Sequence, residues 1–286
     1  MKQAYKKSPL SVLIPDDRRL EQMEDKITKF ISNYLGFYGF KKVVIGLSGG
    51  LDSSLVAYLA ARTLPTENII GVLMPSRLTS ADHIDKALSV IKNLNIKQND
   101  FSKVHDRFND VARFLEEMGQ KVGNENEQKL KFGNIQARVR MIILRDIAKA
   151  NNALVLGTTN KTEMELGYAT IAGDGLGGVD LEPIAGIYKT TSKSLAHYVE
   201  VPEEIIDQTP TAELWDDQSD EEDLGITYRK ADLILLGNEL GYHATELKEI
   251  LKAEKITPED IELVLDLRKQ NIYKTKLPPF PSFPLI

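Results

Sequence analysis

The chain has 286 residues, of which 42% are hydrophobic, and a formal net charge of −6 at pH 7. These values are typical of a globular protein with one large α/β domain or two small ones. The negative charge argues against broad binding to nucleic acid, and no apolar run or leader-like N-terminus indicates a membrane or secreted protein, so we expect a cytoplasmic one. The absence of cysteine excludes disulfides, thiolate metal sites and cysteine nucleophiles.

The first predicted helix covers residues 16–38, where apolar side chains recur on one helical stripe. An apolar strand follows at 43–47, and the turn Ser48-Gly49-Gly50 ends it before helical spacing begins at Ser53. The later elements are predicted in this order: a strand at 69–75, a helix at 80–94 capped by Thr79 or Ser80, a less clear strand at 96–104, a helix around 108–115, a polar linker at 119–128, the longest helix at 133–151 and a strand at 153–157. Two or three amphipathic helices are expected within 227–274, and the proline-rich tail is expected to be irregular.

Strands that alternate with helices predict a doubly wound parallel sheet flanked by helices. No linker separates two halves, so we predict a single domain over residues 1–286. In such sheets ligands bind at the carboxyl ends of the strands. Ser48, Pro75 and Thr158 follow three of the predicted strands, and their loops should therefore meet at one crevice.

The strand–turn–helix segment Val43–Leu55 predicts an anion site, because backbone N–H groups and the positive end of a helix point at one place. Asp52 would repel a bound phosphate unless a cation lay between them, so we infer Mg²⁺ and expect a second carboxylate elsewhere. Alternatively, Asp52 or Ser53 caps a structural helix. Short glycine motifs do not decide between these alternatives.

The long glycine-rich connection after the strand at 153–157 is typical of a functional loop. Glu163 is the candidate for the second Mg²⁺ ligand, or else an ordinary acid in the first turn of a helix. Lys189, at a predicted helix start, could place its ammonium on ATP phosphates, or else be a solvated surface residue. The glycine run at 173–178 has no strand before it, and no G-K-[ST] tripeptide is present, which excludes dinucleotide-fingerprint and Walker-type loops.

Seven acidic residues lie within the eleven positions 213–223. Such a run is usually a solvated, mobile loop, but it can also close over a site once ligand and metal neutralise its charge. The four histidines stand beside no titrating residue in a recognised motif, so we interpret them as structural.

The residues S-G-G-x-D-S at 48–53 resemble the nucleotide loop of the ATP pyrophosphatases, which split ATP between its α and β phosphates. Further motifs narrow this resemblance to ammonia-dependent NAD⁺ synthetases: NIQARVRMI at 134–142, LVLGTTNKTE at 154–163, the G-D-G…D…P segment at 173–183, YKT at 188–190, PTAEL at 210–214 and QSDEEDLGITY at 218–228. The resemblance covers most of the chain and implies a Rossmann-like, adenine nucleotide alpha hydrolase-like fold.

The resemblance also implies the ligands of individual residues. ATP would be bound by Gly46, Leu47, Ser48, Gly49, Gly50, Leu51, Asp52, Ser53, Thr158, Lys189 and Thr211. Deamido-NAD⁺ would be bound by Asn134, Arg138, Tyr168, Asp180 and Lys274. Asp52 and Glu163 would hold Mg²⁺, and the dinucleotide site would be shared across a homodimer.

Three positions depart from the family pattern. The family usually has lysine at the position of Ile171, the loop at 173–180 is two residues longer than usual, and Tyr273 stands where a histidine is often found. The longer loop leaves the role of Asp174 open. We consider Asp174 a candidate for the base that converts NH₄⁺ to NH₃.

The implied reaction joins ammonia to the nicotinate carboxylate of deamido-NAD⁺ through an acyl-adenylate, with Asp52, Lys189 and Asp174 as catalytic candidates. Because glutamine amidotransferase domains of both common kinds use a catalytic cysteine, we predict that this chain takes free ammonia or receives ammonia from a separate subunit. The alternatives are another adenylating ATP pyrophosphatase, such as a tRNA lysidine synthetase, and a nucleotide-binding regulator without turnover.

Overall fold

The computed structural model describes residues 1–76, 79–100, 110–111, 114, 123–175, 177–211, 215 and 218–276. The strands within these residues are β1 (Lys42–Gly46), β2 (Ile69–Leu73), β3 (Lys97–Asp100) and β4 (Ala153–Leu156). They form a parallel sheet in the order β3-β2-β1-β4. The predicted parallel sheet is confirmed, and residues 101–104 of the predicted third strand lie outside the described part.

The helices lie between and after the strands. Their bounds are α1 (Lys2–Lys7), α2 (Pro9–Leu13), α3 (Asp17–Tyr38), α4 (Leu51–Ala61), α5 (Ala81–Leu94), α6 (Glu125–Asn151), α7 (Lys161–Leu166), α8 (Lys189–Tyr198), α9 (Glu203–Ile206), α10 (Asp220–Leu224), α11 (Tyr228–Glu239), α12 (Ala244–Ile250) and α13 (Pro258–Asn271), with 3₁₀ turns at Thr66–Asn68, Lys252–Glu254 and Ile272–Thr275. Asp110, Val111 and Phe114 are also helical, and the other residues of the helix predicted around 108–115 lie outside the described part.

The sheet is covered by helices on both faces, because its central strands are apolar on both sides. Val43 and Ile45 of β1 pack with α3, α4, α5 and α8, whereas Val44 packs with α6 on the opposite face. All three side chains are fully buried. This arrangement confirms the doubly wound fold.

The start of α6 differs from the prediction. The linker predicted at 119–128 is wrong from residue 125 onward, because α6 begins at Glu125. The side chain of Asn124 accepts from Glu127 N, and the Glu127 carboxylate accepts from Asn124 N, which forms a capping box. The first two turns of α6 are polar, so apolar periodicity did not reveal them, whereas the cap residues did carry a signal.

The C-terminal helices form a second core. Helices α11, α12 and α13 bury an apolar cluster with Tyr5 and Leu13 of α1 and α2. The Tyr5 hydroxyl donates to Leu233 O at 2.6 Å, which ties the N-terminus of the chain to α11. The predicted helices within 227–274 are confirmed, whereas α1 and α2 were not predicted. The single domain stays a prediction, and residues 277–286 of the tail lie outside the described part.

The strand order places a crevice at the carboxyl end of β1. The chain runs from β1 to β2 and β3 on one side and then crosses to β4 on the other. The helices that connect β1 to β2 and β2 to β3 pack on one face of the sheet, whereas α6, which connects β3 to β4, packs on the other. The strand order therefore reverses at β1, and such a reversal is where ligands bind in open α/β sheets. Among the described residues, no helix has the length and apolar character that crossing a membrane requires.

Candidate active site

A cavity of about 580 Å³ lies at this crevice, a size that suits a nucleotide. The loops after β1, β2 and β4 all contribute to its wall, as the sequence predicted. From the predicted ATP-binding set the wall includes Gly46, Leu47, Ser48, Gly50, Leu51, Asp52, Ser53, Thr158, Lys189 and Thr211. The structure therefore brings together residues that are up to 165 positions apart, 211 − 46, in one cavity.

The turn between β1 and α4 is held by its own serines. Ser48 Oγ accepts from Gly50 N at 3.1 Å and lies 3.1 Å from Ser53 Oγ, and Ser53 Oγ donates to Gly50 O at 3.2 Å. Gly49 has a φ of +84°, and a Cβ there would lie 2.1 Å from the carbonyl oxygen of His83. The turn is thus closely packed, and it delivers the N-terminus of the eleven-residue helix α4 to the cavity.

Two carboxylates and an ammonium meet beside this turn. Lys189 Nζ lies 2.5 Å from Asp52 Oδ2 and 3.6 Å from Glu163 Oε1. Burial disfavours the charge of Lys189, but Asp52 and Glu163 outweigh this effect and raise its pKa. Burial is also the largest influence on Glu163 and raises its pKa, whereas the attraction of Lys189 lowers it. The predicted proximity of these three residues is found.

The carboxylates fit a hard cation. Asp52 Oδ1 is buried and has no hydrogen-bond partner within the described residues. Glu163 Oε2 accepts from Asn160 N at 3.2 Å, so Glu163 closes the capping box of α7, and its other oxygen faces Lys189. Glu163 is thus a first-turn acid and a candidate ligand at once. Proteins usually hold Mg²⁺ with one or two carboxylates, and phosphate and water fill the remaining coordination positions.

Asn160 links the two candidate ligands, a role that the sequence analysis missed. Its side chain is fully buried, donates to Asp52 Oδ2 at 3.2 Å and accepts from Glu163 N at 3.0 Å. The N-x-x-E spacing at 160–163 is that of a capping box and could have indicated the second contact. Nothing in the sequence indicated the first, which joins residues 108 positions apart.

Tyr228, at the start of α11, also reaches the charged cluster. Its hydroxyl lies 3.1 Å from Asp220 Oδ2 and 3.4 Å from Glu163 Oε1. Lys189 Nζ lies 5.0 Å from the centre of its ring, within the range of a cation–π contact. Tyr228 was the last residue of a motif in the resemblance, but no local pattern marked its side chain as part of the site.

The described part of the acidic segment packs against the cavity. Asp220 is 5% exposed and lies 3.1 Å from the hydroxyl of Tyr168. Gln218 Nε2 donates to Asp223 Oδ2 at 2.8 Å, and Tyr168 lies 2.9 Å from the same oxygen. The solvated-loop interpretation is therefore wrong for Asp220, whereas Glu222 and Asp223 are exposed. Closure of the acidic segment over the site stays a prediction. Residues 212–214 and 216–217 lie outside the described part.

Asp174 stands at the rim of the same cavity. Its Oδ1 accepts from Thr170 N at 2.8 Å, and its carbonyl oxygen accepts from the Thr159 hydroxyl at 2.9 Å. Burial of the carboxyl raises the pKa of Asp174. The residue as a whole is exposed at the cavity rim, and its role as the base that converts NH₄⁺ to NH₃ stays a prediction.

Of the predicted dinucleotide set, only Tyr168 lines this cavity. Three of its members meet instead on residues 167–171, which we call the 167–171 segment. Lys274 Nζ donates to Gly167 O at 2.7 Å, Arg138 Nε donates to Ile171 O at 3.3 Å, and Asn134 Oδ1 lies 2.8 Å from Thr170 Oγ1. This segment continues from the cavity to the protein surface.

Asp180 lies apart from these residues. Its Oδ1 forms an ion pair with Arg145 at 2.6 Å, and its Oδ2 accepts from Val155 N at 2.8 Å. The carboxylate thus joins α6 to β4. Both oxygens of Asp180 already have protein partners, and its binding to the dinucleotide stays a prediction.

His83 lines the cavity, although the sequence analysis interpreted all four histidines as structural. Its Nε2 lies 3.0 Å from Gln208 Nε2, and Gln208 donates in turn to Gly49 O at 3.4 Å. His83 therefore stands between the start of α5 and the glycine turn. Arg140, which donates to Met74 O at 3.1 Å, is another cavity residue that was missed.

The doubly wound sheet, the glycine turn after β1 and the lysine between two carboxylates are the features of an α/β nucleotide-binding enzyme. The model of the NAD synthase family matches residues 23–278. The chain therefore belongs to the NAD synthase family, which is a family of ligases.

Individual relatives agree with this assignment. The NH(3)-dependent NAD(+) synthetase of Methanocaldococcus jannaschii is 39% identical over 265 residues, covering 92% of this chain and 97% of the relative. Among solved structures, NMN synthetase from Francisella tularensis has a TM-score of 0.76 at 30% identity and covers 92% of this chain and 99% of its own. The NH3-dependent NAD synthetase from Campylobacter jejuni has a TM-score of 0.72 at 28% identity, with the same coverage. The family, the fold and the enzyme class predicted from the sequence are confirmed.

Proposed function

We propose that the chain makes NAD⁺ from deamido-NAD⁺, ammonia and ATP, releasing AMP and pyrophosphate, in the cytoplasm. The observation that carries this proposal is the contact of Lys189 with Asp52 and Glu163 beside the turn at 48–53. A lysine, two buried carboxylates and a helix N-terminus at one place suit the triphosphate of ATP better than an uncharged ligand.

The reaction needs ATP because a carboxylate is a poor acyl electrophile. A nicotinate oxygen attacks the α phosphorus, the bond from that phosphorus to the β-bridging oxygen breaks, and pyrophosphate leaves. The nitrogen of ammonia then attacks the acyl carbon, the bond from this carbon to the AMP oxygen breaks, and the nitrogen loses a proton. No covalent bond to the protein is required.

The residues of the cavity would position and neutralise charge. The N–H groups at the start of α4, with the hydroxyls of Ser48 and Ser53, would bind phosphate oxygens. Lys189 would stabilise the charge that develops on the leaving pyrophosphate. Asp52 and Glu163 would hold Mg²⁺, which supplies Lewis-acid neutralisation of the phosphates.

Deamido-NAD⁺ would bind along the 167–171 segment. Arg138 and Lys274 bring two cations to this segment from distant parts of the chain, and a dinucleotide carries two phosphates. Because this surface opens away from the ATP cavity, a second copy of the chain could cover it. We therefore propose a homodimer with a shared dinucleotide site.

The test incubates the purified protein with ATP, Mg²⁺, ammonium and deamido-NAD⁺. We expect equal amounts of AMP and NAD⁺, and neither when the dinucleotide is omitted. Asp52→Asn should abolish turnover while circular dichroism shows an intact fold. ATP binding without dinucleotide-dependent release of AMP would contradict the proposal. A second incubation supplies glutamine instead of ammonium, and equal turnover there would contradict the use of free ammonia.

A second candidate is the amidation of the mononucleotide. The likeness to the Francisella tularensis structure, which is named an NMN synthetase, favours it, and so does Ile171 at the position of a lysine expected to bind the dinucleotide. The same assay with nicotinate mononucleotide decides the question. A higher kcat/KM with the mononucleotide than with deamido-NAD⁺ would establish this second candidate.

A further inference from the structure

Asp232 is a fully buried carboxylate that lies outside the cavity wall. It stands on the second turn of α11, and its two oxygens reach two different helices. One oxygen accepts from the hydroxyl of Thr162 on α7, and the other accepts from Thr190 N on α8 at 2.7 Å. Burying a carboxylate costs free energy unless its hydrogen bonds are made, so the full burial of Asp232 needs an explanation.

The contacts of Asp232 fall beside the two functional residues. Thr162 precedes Glu163, and Thr190 follows Lys189. The Thr162 hydroxyl also accepts from Lys189 N at 2.9 Å. One carboxylate and one hydroxyl thus join the N-terminal turns of the two helices that carry the candidate metal ligand and the candidate phosphate-binding lysine.

Both groups that face the Asp232 carboxylate are donors, so the residue at this position must accept at both of its side-chain atoms. Thr190 N is a donor, and the Thr162 hydroxyl, which accepts from Lys189 N, donates its hydrogen to Asp232 because an ionised carboxylate has no hydrogen to donate. A carboxylate accepts at both oxygens, whereas an amide of the same shape accepts at one and donates at the other. A negative charge at the start of the ten-residue helix α8 is also favourable.

We propose that Asp232 is a positioning residue, which sets the spacing of Glu163 and Lys189 through Thr162 and Thr190. This inference rests on the proposed function, because it takes Glu163 and Lys189 as the groups to be positioned. Asp232 lies outside the cavity wall, so we expect it to contact neither substrate. Its loss should therefore lower kcat and the affinity for ATP with Mg²⁺, while the KM for deamido-NAD⁺ changes little.

The test compares Asp232→Asn with Tyr5→Phe. Both variants remove buried hydrogen bonds of α11, but the Tyr5 hydroxyl donates to Leu233 O of α11 itself, whereas Asp232 accepts from α7 and α8. Because small displacements of catalytic groups are costly, Asp232→Asn should lower kcat about 10- to 100-fold. Tyr5→Phe should lower the stability and keep the wild-type kcat. A kcat of Asp232→Asn within about twofold of wild type, whatever its stability, overturns the proposal.

Two further measurements keep the outcome decisive. If Asp232→Asn does not fold, Thr162→Val is compared with Thr162→Ser, because serine retains the hydroxyl. Loss of activity in the valine variant and rescue in the serine variant support the proposal, and equal activities overturn it.

If the wild type makes no NAD⁺, the proposed function fails, and calorimetric titration with ATP and Mg²⁺ still tests the positioning. Unchanged ATP affinity in Asp232→Asn then overturns it.

Discussion

Lys189 Nζ lies 2.5 Å from Asp52 Oδ2, although the two residues are 137 positions apart. Their side chains are 11% and 12% exposed, and Glu163, the other neighbour of the ammonium, is 15% exposed. The ammonium is therefore the protein charge that offsets two poorly solvated carboxylates. We expect this ammonium both to stabilise the fold and to face the place where phosphate charge would develop.

The first prediction concerns Lys189→Met. The substitution leaves Asp52 and Glu163 facing each other without a compensating cation, and removing one partner of a buried ion pair typically costs about 3–5 kcal/mol. We expect a lower free energy of unfolding and a kcat reduced by about 10²–10³-fold. Because a divalent cation can replace the lost charge, Mg²⁺ should raise the melting temperature of the variant more than that of wild type.

Lys161→Met is the matched control. Lys161 also begins a helix and forms an ion pair, with Glu239 at 2.6 Å, and its side chain is 16% exposed, but it does not line the cavity. Its loss should not make the melting temperature depend on Mg²⁺. Equal Mg²⁺ responses of the two variants would show that Asp52 and Glu163 do not form a cation site.

The second prediction concerns the turn at the end of β1. Gly49→Ala places a side chain at a φ of +84° and 2.1 Å from the backbone oxygen of His83, so either the turn or the start of α5 must move. We expect a loss of about 2 kcal/mol or more in the free energy of unfolding, and weaker ATP binding. Gly50→Ala is the control, since Gly50 has a φ of −83° and the nearest atom lies 3.3 Å away. Similar losses in a urea titration of both variants would contradict the argument.

Part of the site could be predicted from local sequence pattern and from the rule that ligands bind at the carboxyl ends of parallel strands. An apolar strand, two glycines and helical spacing predicted the turn, and strand ends in a parallel sheet predicted that Asp52 and Glu163 would meet. Asn160 and Tyr228 could not be assigned in this way, because their contacts depend on how α7 and α11 pack. No periodicity within a single element contains that information.

The third prediction concerns Arg138→Ala. Arg138 is exposed and donates to Ile171 O, so its removal takes a cation from the 167–171 segment without disturbing the ATP cavity. We expect the KM for deamido-NAD⁺ to rise about tenfold, which corresponds to about 1.4 kcal/mol, with kcat and the KM for ATP little changed. Lys149→Ala, which removes an exposed cation from the last turn of the same helix, should leave all three constants unchanged. A rise in the KM for ATP alone would mean that Arg138 serves the other substrate.

The fourth prediction concerns the buried carboxyl of Glu182. One oxygen accepts from Thr159 N at 3.3 Å, and the other is buried with no partner within the described residues. Burial is the main cause that raises the pKa of Glu182 from 4.5 to about 8. The folded protein therefore binds this proton more tightly than the unfolded chain does.

The sign of the pH dependence follows from this difference. The stabilisation by the protonated form is fully present below pH 4.5 and is lost as the pH rises through about 8, so Glu182 contributes a decline in stability over that window. Glu182→Gln retains the shape without the charge and should remove this part of the decline. We expect the variant to be more stable than wild type by about 1 kcal/mol or more at pH 8, and to differ little near pH 5.

Urea titrations at several pH values between 5 and 8 measure this effect, and Glu67→Gln, which removes a carboxyl from the exposed surface, controls for the change of net charge. If wild type and Glu182→Gln lose stability in parallel across the window, the Glu182 carboxyl is ionised throughout and must have a partner in solution. If wild type instead loses stability more steeply than Glu182→Gln, the Glu182 carboxyl stays protonated at neutral pH and has a hydrogen to donate. Glu182, which lies beside Thr159 and next to the cavity residue Thr158, then supports the loop after β4 at neutral pH.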